Sequence, residues 1–117
     1  MTVTADLFSQ GVEHEHLVDT LLRTQVTDAG LKEFKDFKKL TNLDLKATQV
    51  TDAGLKELKD LKQLTALTLS HTQVTDAGLK ELKDLKQLTT LLLTGTKVTD
   101  DGVADLQKAL PGCKITR

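Results

Sequence analysis

Residues 48–65 read TQVTDAGLKELKDLKQLT, and residues 72–89 read the same eighteen letters. Residues 24–41 carry the same block with three changes, Phe34, Phe37 and Lys39 standing where the other copies have Leu, Leu and Gln. The copies start 24 residues apart. A fixed period of this length means that one supersecondary unit is stacked on copies of itself, because a single unit cannot bury its apolar face alone. The fold is therefore an array, and an array offers a surface more readily than a reaction centre.

Between the identical blocks lies a second recurring pattern, L-x-x-L-x-L-x-x-T-x-V. It falls on Leu40, Leu43, Leu45, Thr48 and Val50, then on Leu64, Leu67, Leu69, Thr72 and Val74, then on Leu88, Leu91, Leu93, Thr96 and Val98. The L-x-L alternation predicts a short strand with one buried face. Strands that meet after an excursion of 24 residues on one side are parallel, and the excursion is a crossover connection.

The other half of the unit is VTDAGLKELKDLKQ. Thr51-Asp52 predicts a helix start, with polar oxygens for free N–H groups and negative charge at the positive end of the helix dipole. Asp28, Asp52, Asp76 and Asp100 are read as caps on this basis. Leu55, Leu58, Leu61 and Leu64 are spaced by three, whereas an α-helix drifts about 60° off its face at each such step. The spacing predicts about two turns of α or 3₁₀ helix, then an irregular segment returning Leu61 and Leu64 to the interior. Gly54 stands in the first helical turn, where it costs roughly 1 kcal/mol against Ala. Its recurrence as Gly30 and Gly78 calls for close packing between repeats or an unusual backbone angle.

These motifs resemble the leucine-rich repeat family, in the bacterial subtype with T-x-V-T-D-A-G-L-K-x-L repeats. The resemblance covers about residues 24–115. It implies an α/β fold, a right-handed leucine-rich-repeat solenoid with short parallel strands on the concave side and short helices on the convex side. It implies a binding scaffold and not an enzyme. The chain departs from the family pattern by placing Thr24, Thr48, Thr72 and Thr96 where Asn or Cys is usual, so a hydroxyl ladder between repeats replaces the asparagine geometry as the expectation.

The domain reading has three parts: a degenerate N-terminal capping repeat at 1–23, three regular repeats at 24–95, and a C-terminal capping repeat at 96–117. In the first part, residues 4–11 are read as a degenerate helix and 16–22 as an imperfect strand. In the last, Ala104, Leu106, Ala109 and Leu110 are expected on the buried side of a helix stopped by Pro111-Gly112. Leu110-x-x-Cys113-x-Ile115 is matched to the strand leucines, with the helical segment two residues shorter and Cys113 at a strand core position.

Composition narrows the function. The 117 residues make one domain with sixteen basic and seventeen acidic side chains, a net charge of −1, so no basic footprint for nucleic acid exists. No apolar run is long enough for a membrane helix. The N-terminus lacks a basic segment and an apolar stretch, so no secretory signal is read there and a cytoplasmic location is expected. Aromatics are 3% of the chain, poor material for base stacking. No nucleophile–base constellation, phosphate cradle or calcium loop occurs, and neither a cofactor nor a metal is expected.

The letters that vary among otherwise identical repeats lie between and just after the strand leucines. By register these are Asn42, Asp44, Lys46 and Ala47, then Ala66, Thr68, Ser70 and His71, then Thr90, Leu92, Thr94 and Gly95, with Arg23 nearest in the first strand. The expected function is a non-enzymatic protein–protein interaction module that grips its partner on the concave face through Arg23, Asn42, Asp44, Lys46, Thr68, Ser70, His71, Thr90, Leu92 and Thr94. Neutral drift on an exposed sheet explains the same variation equally well. The rival function is a structural or self-assembling spacer that makes contacts through its ends, including a homodimer through the irregular N-terminal end. His14-Glu15-His16 lacks further ligands at a recognised zinc spacing and is read as a solvated loop. His71, alone on the rim, is read as a surface histidine ahead of a pH-sensitive contact. Cys113 is read as a buried structural thiol.

Overall fold

A computed structural model describes residues 2–4, 27–31 and 39–117. Five three-residue strands, β1 (Thr2–Thr4), β2 (Asn42–Asp44), β3 (Ala66–Thr68), β4 (Thr90–Leu92) and β5 (Lys114–Thr116), form one parallel sheet in chain order. Among the described residues four helices run on the other side: α1 (Asp28–Leu31), α2 (Asp52–Leu55), α3 (Asp76–Leu79) and α4 (Asp100–Ala109). The α2 and α3 helices each tighten into a 3₁₀ turn, Lys56–Leu58 and Lys80–Leu82. Leu43 pairs with Leu67 and Leu67 with Leu91, so each strand lies one period from the next. The expected solenoid of strands on one side and helices on the other is the observed one.

The three-residue spacing of leucines has a direct structural counterpart. After the 3₁₀ turn the chain continues in i→i+3 steps, Leu61 N donating to Leu58 O at 2.9 Å and Leu64 N to Leu61 O at 3.1 Å. With three residues per turn, residues three apart eclipse, and the drift of an α-helix does not arise. Leu55, Leu58, Leu61 and Leu64 are all fully buried as a result. They join the strand leucines and Val50, Val74 and Val98 in one continuous core.

The aspartates expected as caps are bridges between coils instead, and the caps are threonines. The α2 and α3 helices are each capped by a threonine: Thr51 Oγ1 accepts from Ala53 N and Thr75 Oγ1 from Ala77 N, both at 3.3 Å. The aspartate that follows reaches into the next coil. Asp28 accepts the backbone N–H of Thr51 at 2.7 Å and also its hydroxyl, Asp52 does the same with Thr75, and Asp76 with Thr99. The repeated glycine is explained by the same contact. A Cβ at Gly54 would stand 2.3 Å from Asp28 Oδ1, and one at Gly78 would stand 2.3 Å from Asp52 Oδ1. Close packing, not an unusual angle, is therefore the reason for these glycines.

Other hydroxyls also depart from expectation. Thr48, Thr72 and Thr96 do not link repeats; each donates back to its own coil, to Leu45 O, Leu69 O and Leu93 O at 2.7–2.8 Å. The ladder between coils sits at the strand entrance instead, where Thr65 Oγ1 donates to Thr41 O and Thr89 Oγ1 to Thr65 O.

Both ends depart from the sequence reading. The place beside β2 is taken by Thr2–Thr4, in register with Asn42–Asp44. The strand expected at 16–22 and most of the helix expected at 4–11 lie outside the described residues. At the other end α4 buries Leu106 and half-buries Val103, while Ala104 is exposed. Lys114 pairs with Thr90 and Ile115 with Leu91, so the last strand keeps the full period and no residues are lost from the helical segment. Cys113 is buried but stands before β5, and Ile115 holds the strand position opposite Leu91. Backbone ladders count residues, whereas pattern matching counts apolar letters.

Two predictions follow from the aspartate bridge. Gly78→Ala should lose about 1–3 kcal/mol of stability in urea titration, because the methyl displaces a bonded carboxylate. Gly112→Ala, with nothing within 4 Å, should be near neutral. The loss from Gly78→Ala should shrink in an Asp52→Ala background, where the obstructing oxygen is gone. The second concerns acid. The side-chain and backbone hydrogen bonds from Thr99, aided by the Arg117 charge, hold the Asp76 carboxyl below an aspartate's usual 3.8. A folded-state pKa below the unfolded one contributes stability above the unfolded value and loses it as pH falls through the folded value. Asp76→Asn should therefore be less stable at neutral pH, with the gap to wild type closing as pH drops below 3.8.

Candidate functional site

The outward side chains of the sheet form two rows across the coils. Asn42, Ala66, Thr90 and Lys114 align in one, and Asp44, Thr68, Leu92 and Thr116 in the other. Asn42, Asp44, Thr68, Thr90 and Leu92 are all half-buried, while the leucines between them face the core. This is the period-two alternation of a one-sided sheet. Hydrogen bonds continue past the strand ends, Ala47 N donating to Ser70 O at 2.9 Å and His71 N to Thr94 O at 2.8 Å. The face therefore rests on paired backbone on both sides of the rows.

Beyond the rows the surface narrows. Lys46 and Thr94 are exposed, but Ser70, between them in the adjacent coil, is only 7% exposed. Ser70 is thus a correction to the sequence reading: flanked by a coil on either side, its small side chain presents almost nothing to a partner. Asp44 is partly committed to its own coil, its Oδ1 accepting the Lys46 N–H at 2.9 Å. Asn42 Oδ1 lies 3.3 Å from the Thr65 hydroxyl that donates to it. Arg23 and the His14-Glu15-His16 segment lie outside the described residues.

After β2, β3 and β4 the chain turns through a left-handed residue, Ala47 (φ 59°), His71 (φ 61°) and Gly95 (φ 77°). Only glycine takes this conformation freely, so Ala47 and His71 are held there by the surrounding coils. The exposed His71 ring lies against Gly95, where a Cβ would come within 2.3 Å of its Nδ1. Gly95 is therefore less a contact residue than the space into which His71 fits. Sequence alone signalled this turn only at the glycine.

A second concavity lies on the helix side. Where α4 runs on as regular helix while its neighbour tightens to 3₁₀, a groove of about 230 Å³ opens. Lys80 and Lys83 line one part and Asp101 and Asp105 another, with the buried Leu79 and Leu106 beneath. Sequence reading confined its candidates to the sheet and missed this feature, since a helix that lengthens in one copy carries no distinctive letter. Among the described residues no group of three or more His, Cys, Asp or Glu could hold a metal ion, and no helix is long and apolar enough to cross a membrane. Burial pushes the Cys113 thiol up from its ordinary value and keeps it protonated.

Comparison with known proteins agrees with the coil geometry. The family model for the leucine-rich repeat matches residues 26–98. No curated protein matches the chain. Among solved structures, a leucine-rich repeat protein of Leptospira interrogans is 29% identical with a TM-score of 0.57, over 74% of this chain and 21% of that one. A structure of Chaetomium Mex67:Mtr2 subunits is 18% identical with a TM-score of 0.65, over 97% and 78%. Internalin C2 of Listeria monocytogenes is 23% identical with a TM-score of 0.51, over 72% and 44%. The last two show likeness of fold, and the chain spans only 21% of the Leptospira protein's length. From its repeats, its core and the family model together, the chain belongs to the leucine-rich repeat family.

Proposed function

We propose that the chain is a non-enzymatic binding module that holds a polypeptide partner across its sheet face. Leucine-rich repeat arrays as a class mediate protein–protein interaction. The observation that carries the finer reading is the contrast between columns. Between the coils at 48–65 and 72–89 the core leucines, cap threonines and bridging aspartates repeat without change, while the half-buried Asn42, Asp44, Thr68, Thr90 and Leu92 and the exposed Lys46, His71 and Thr94 differ from coil to coil. Such a surface is small, polar and rigid, and rigid backbone reduces the ordering loss on association. A flat polar face without aromatics favours modest affinity, which more coils or more copies raise by avidity.

Replacement of Asp44, Lys46, His71 and Thr94 together by Ala should weaken a verified partner at least about tenfold in calorimetry, consistent with losing two or more contacts of about 1 kcal/mol each. Lys59→Ala with Lys62→Ala, on the exposed helix side, should leave binding unchanged. Unchanged affinity of the fourfold variant removes the sheet face as the site.

One observation favours the rival reading, in which the module assembles through its ends. Among the described residues the strand order places β1 and β5 at opposite edges of the sheet, and an edge strand is a template for pairing with another chain. Homodimerisation through the N-terminal end is one form of this. Sedimentation across micromolar to millimolar concentration separates the readings: the rival predicts a rising average mass, and a constant monomer mass eliminates it.

A further inference from the structure

The charges around the groove beside α4 are sorted by sign. Elsewhere on the helix side they alternate: Lys56, Glu57, Lys59 and Asp60 follow α2, and Lys80, Glu81, Lys83 and Asp84 follow α3. In α4 the positions one period after Lys80 and Lys83 hold Ala104 and Gln107, and the position one period after Ala77 holds Asp101. The one cation of that helix is Lys108, in its last turn. One wall of the groove therefore carries Lys80 and Lys83, and the other carries Asp101 and Asp105.

Both walls are held in place. Asp76 ties the two coils together through Thr99 where the helices begin, and Lys86 Nζ donates to Ala109 O at 3.4 Å at the far end. Between these ties the four wall charges stay apart. Among the described residues none of them forms an ion pair, and the pair that does form is Arg117 with Asp100. Lys80, Asp101 and Asp105 are exposed and Lys83 is half-buried.

A trough with one basic and one acidic wall is complementary to itself. A two-fold axis lying along it sets the lysine wall of one copy over the aspartate wall of a second, and the reverse contact forms at the same time. A two-fold axis across it sets like charges together, so the charges select one arrangement.

We propose that two copies of this chain associate groove to groove, with Lys80 and Lys83 of each facing Asp101 and Asp105 of the other. The helix sides meet, so both sheet faces stay open and a partner held there meets two copies at once. Exposed ion pairs contribute little singly, so the dimer forms at roughly 0.1–1 mM chain and weakens with salt.

The test is sedimentation equilibrium up to about 2 mM chain in about 0.1 M salt, where charges more than about 10 Å apart are screened. The wild-type chain should dimerise. Lys80→Asp with Lys83→Asp should weaken association at least about tenfold, and so should Asp101→Lys with Asp105→Lys. All four substitutions in one chain exchange the walls and leave the net charge at −1, and should return the constant to within about threefold of wild type. An equimolar mixture of the two doubles makes the same exchange in separate chains and should also regain association. Lys59→Asp with Lys62→Asp adds the same charge away from the groove and should weaken association less than about threefold. Association through the strand edges would respond alike to both lysine doubles and would gain nothing from the exchange. A wild-type chain that stays monomeric throughout, a groove double that associates as well as wild type, or an exchange that restores nothing in either form overturns the proposal.

Discussion

Each coil is joined to the next by a carboxylate that accepts two hydrogen bonds from a single threonine, its N–H and its hydroxyl. That contact fixes the distance between coils on the helix side, as the backbone ladder fixes it on the sheet side. A charge-assisted acceptor is stronger than a neutral one, and here it also satisfies a helix-start N–H that would otherwise face solvent or go unpaired. The glycine beneath it is a consequence, since no side chain fits under the bridging oxygen. The T-D-A-G motif is thus a joint between neighbours rather than a property of one helix.

This explains which parts of the fold were legible. The period is visible when copies are compared letter by letter, and the strand leucines and the step of three from Leu55 to Leu64 can be read from one copy. The roles of Asp52 and Thr48 could not. Asp52 bonds a residue 23 positions later, and nothing in a single repeat distinguishes a cap from a bridge. The C-terminal strand misled for a related reason. Cys113 and Ile115 alternate like strand leucines, so matching apolar letters shifts the register, whereas hydrogen-bonded coils preserve residue number.

The candidate surface was legible to the same extent. Columns that face outward could be named because a strand alternates strictly. How much of each side chain reaches solvent depends on its neighbours in adjacent coils, which is why Ser70 recedes while Lys46 and Thr94 remain exposed. Asp44 is tied to its own coil by a local hydrogen bond that its letter alone does not announce. The groove beside α4 arises from a change in helix type between two coils, and so belongs to neither alone.

The fit of His71 against Gly95 gives the array a direction. A methyl group at the matching turn of the next coil would meet the His71 ring, so the imidazole keeps this seat only where its successor carries a glycine. Placing the Ala47 coil after the His71 coil would make the histidine swing out toward solvent. Units that look interchangeable letter by letter therefore differ in what they ask of the unit that follows.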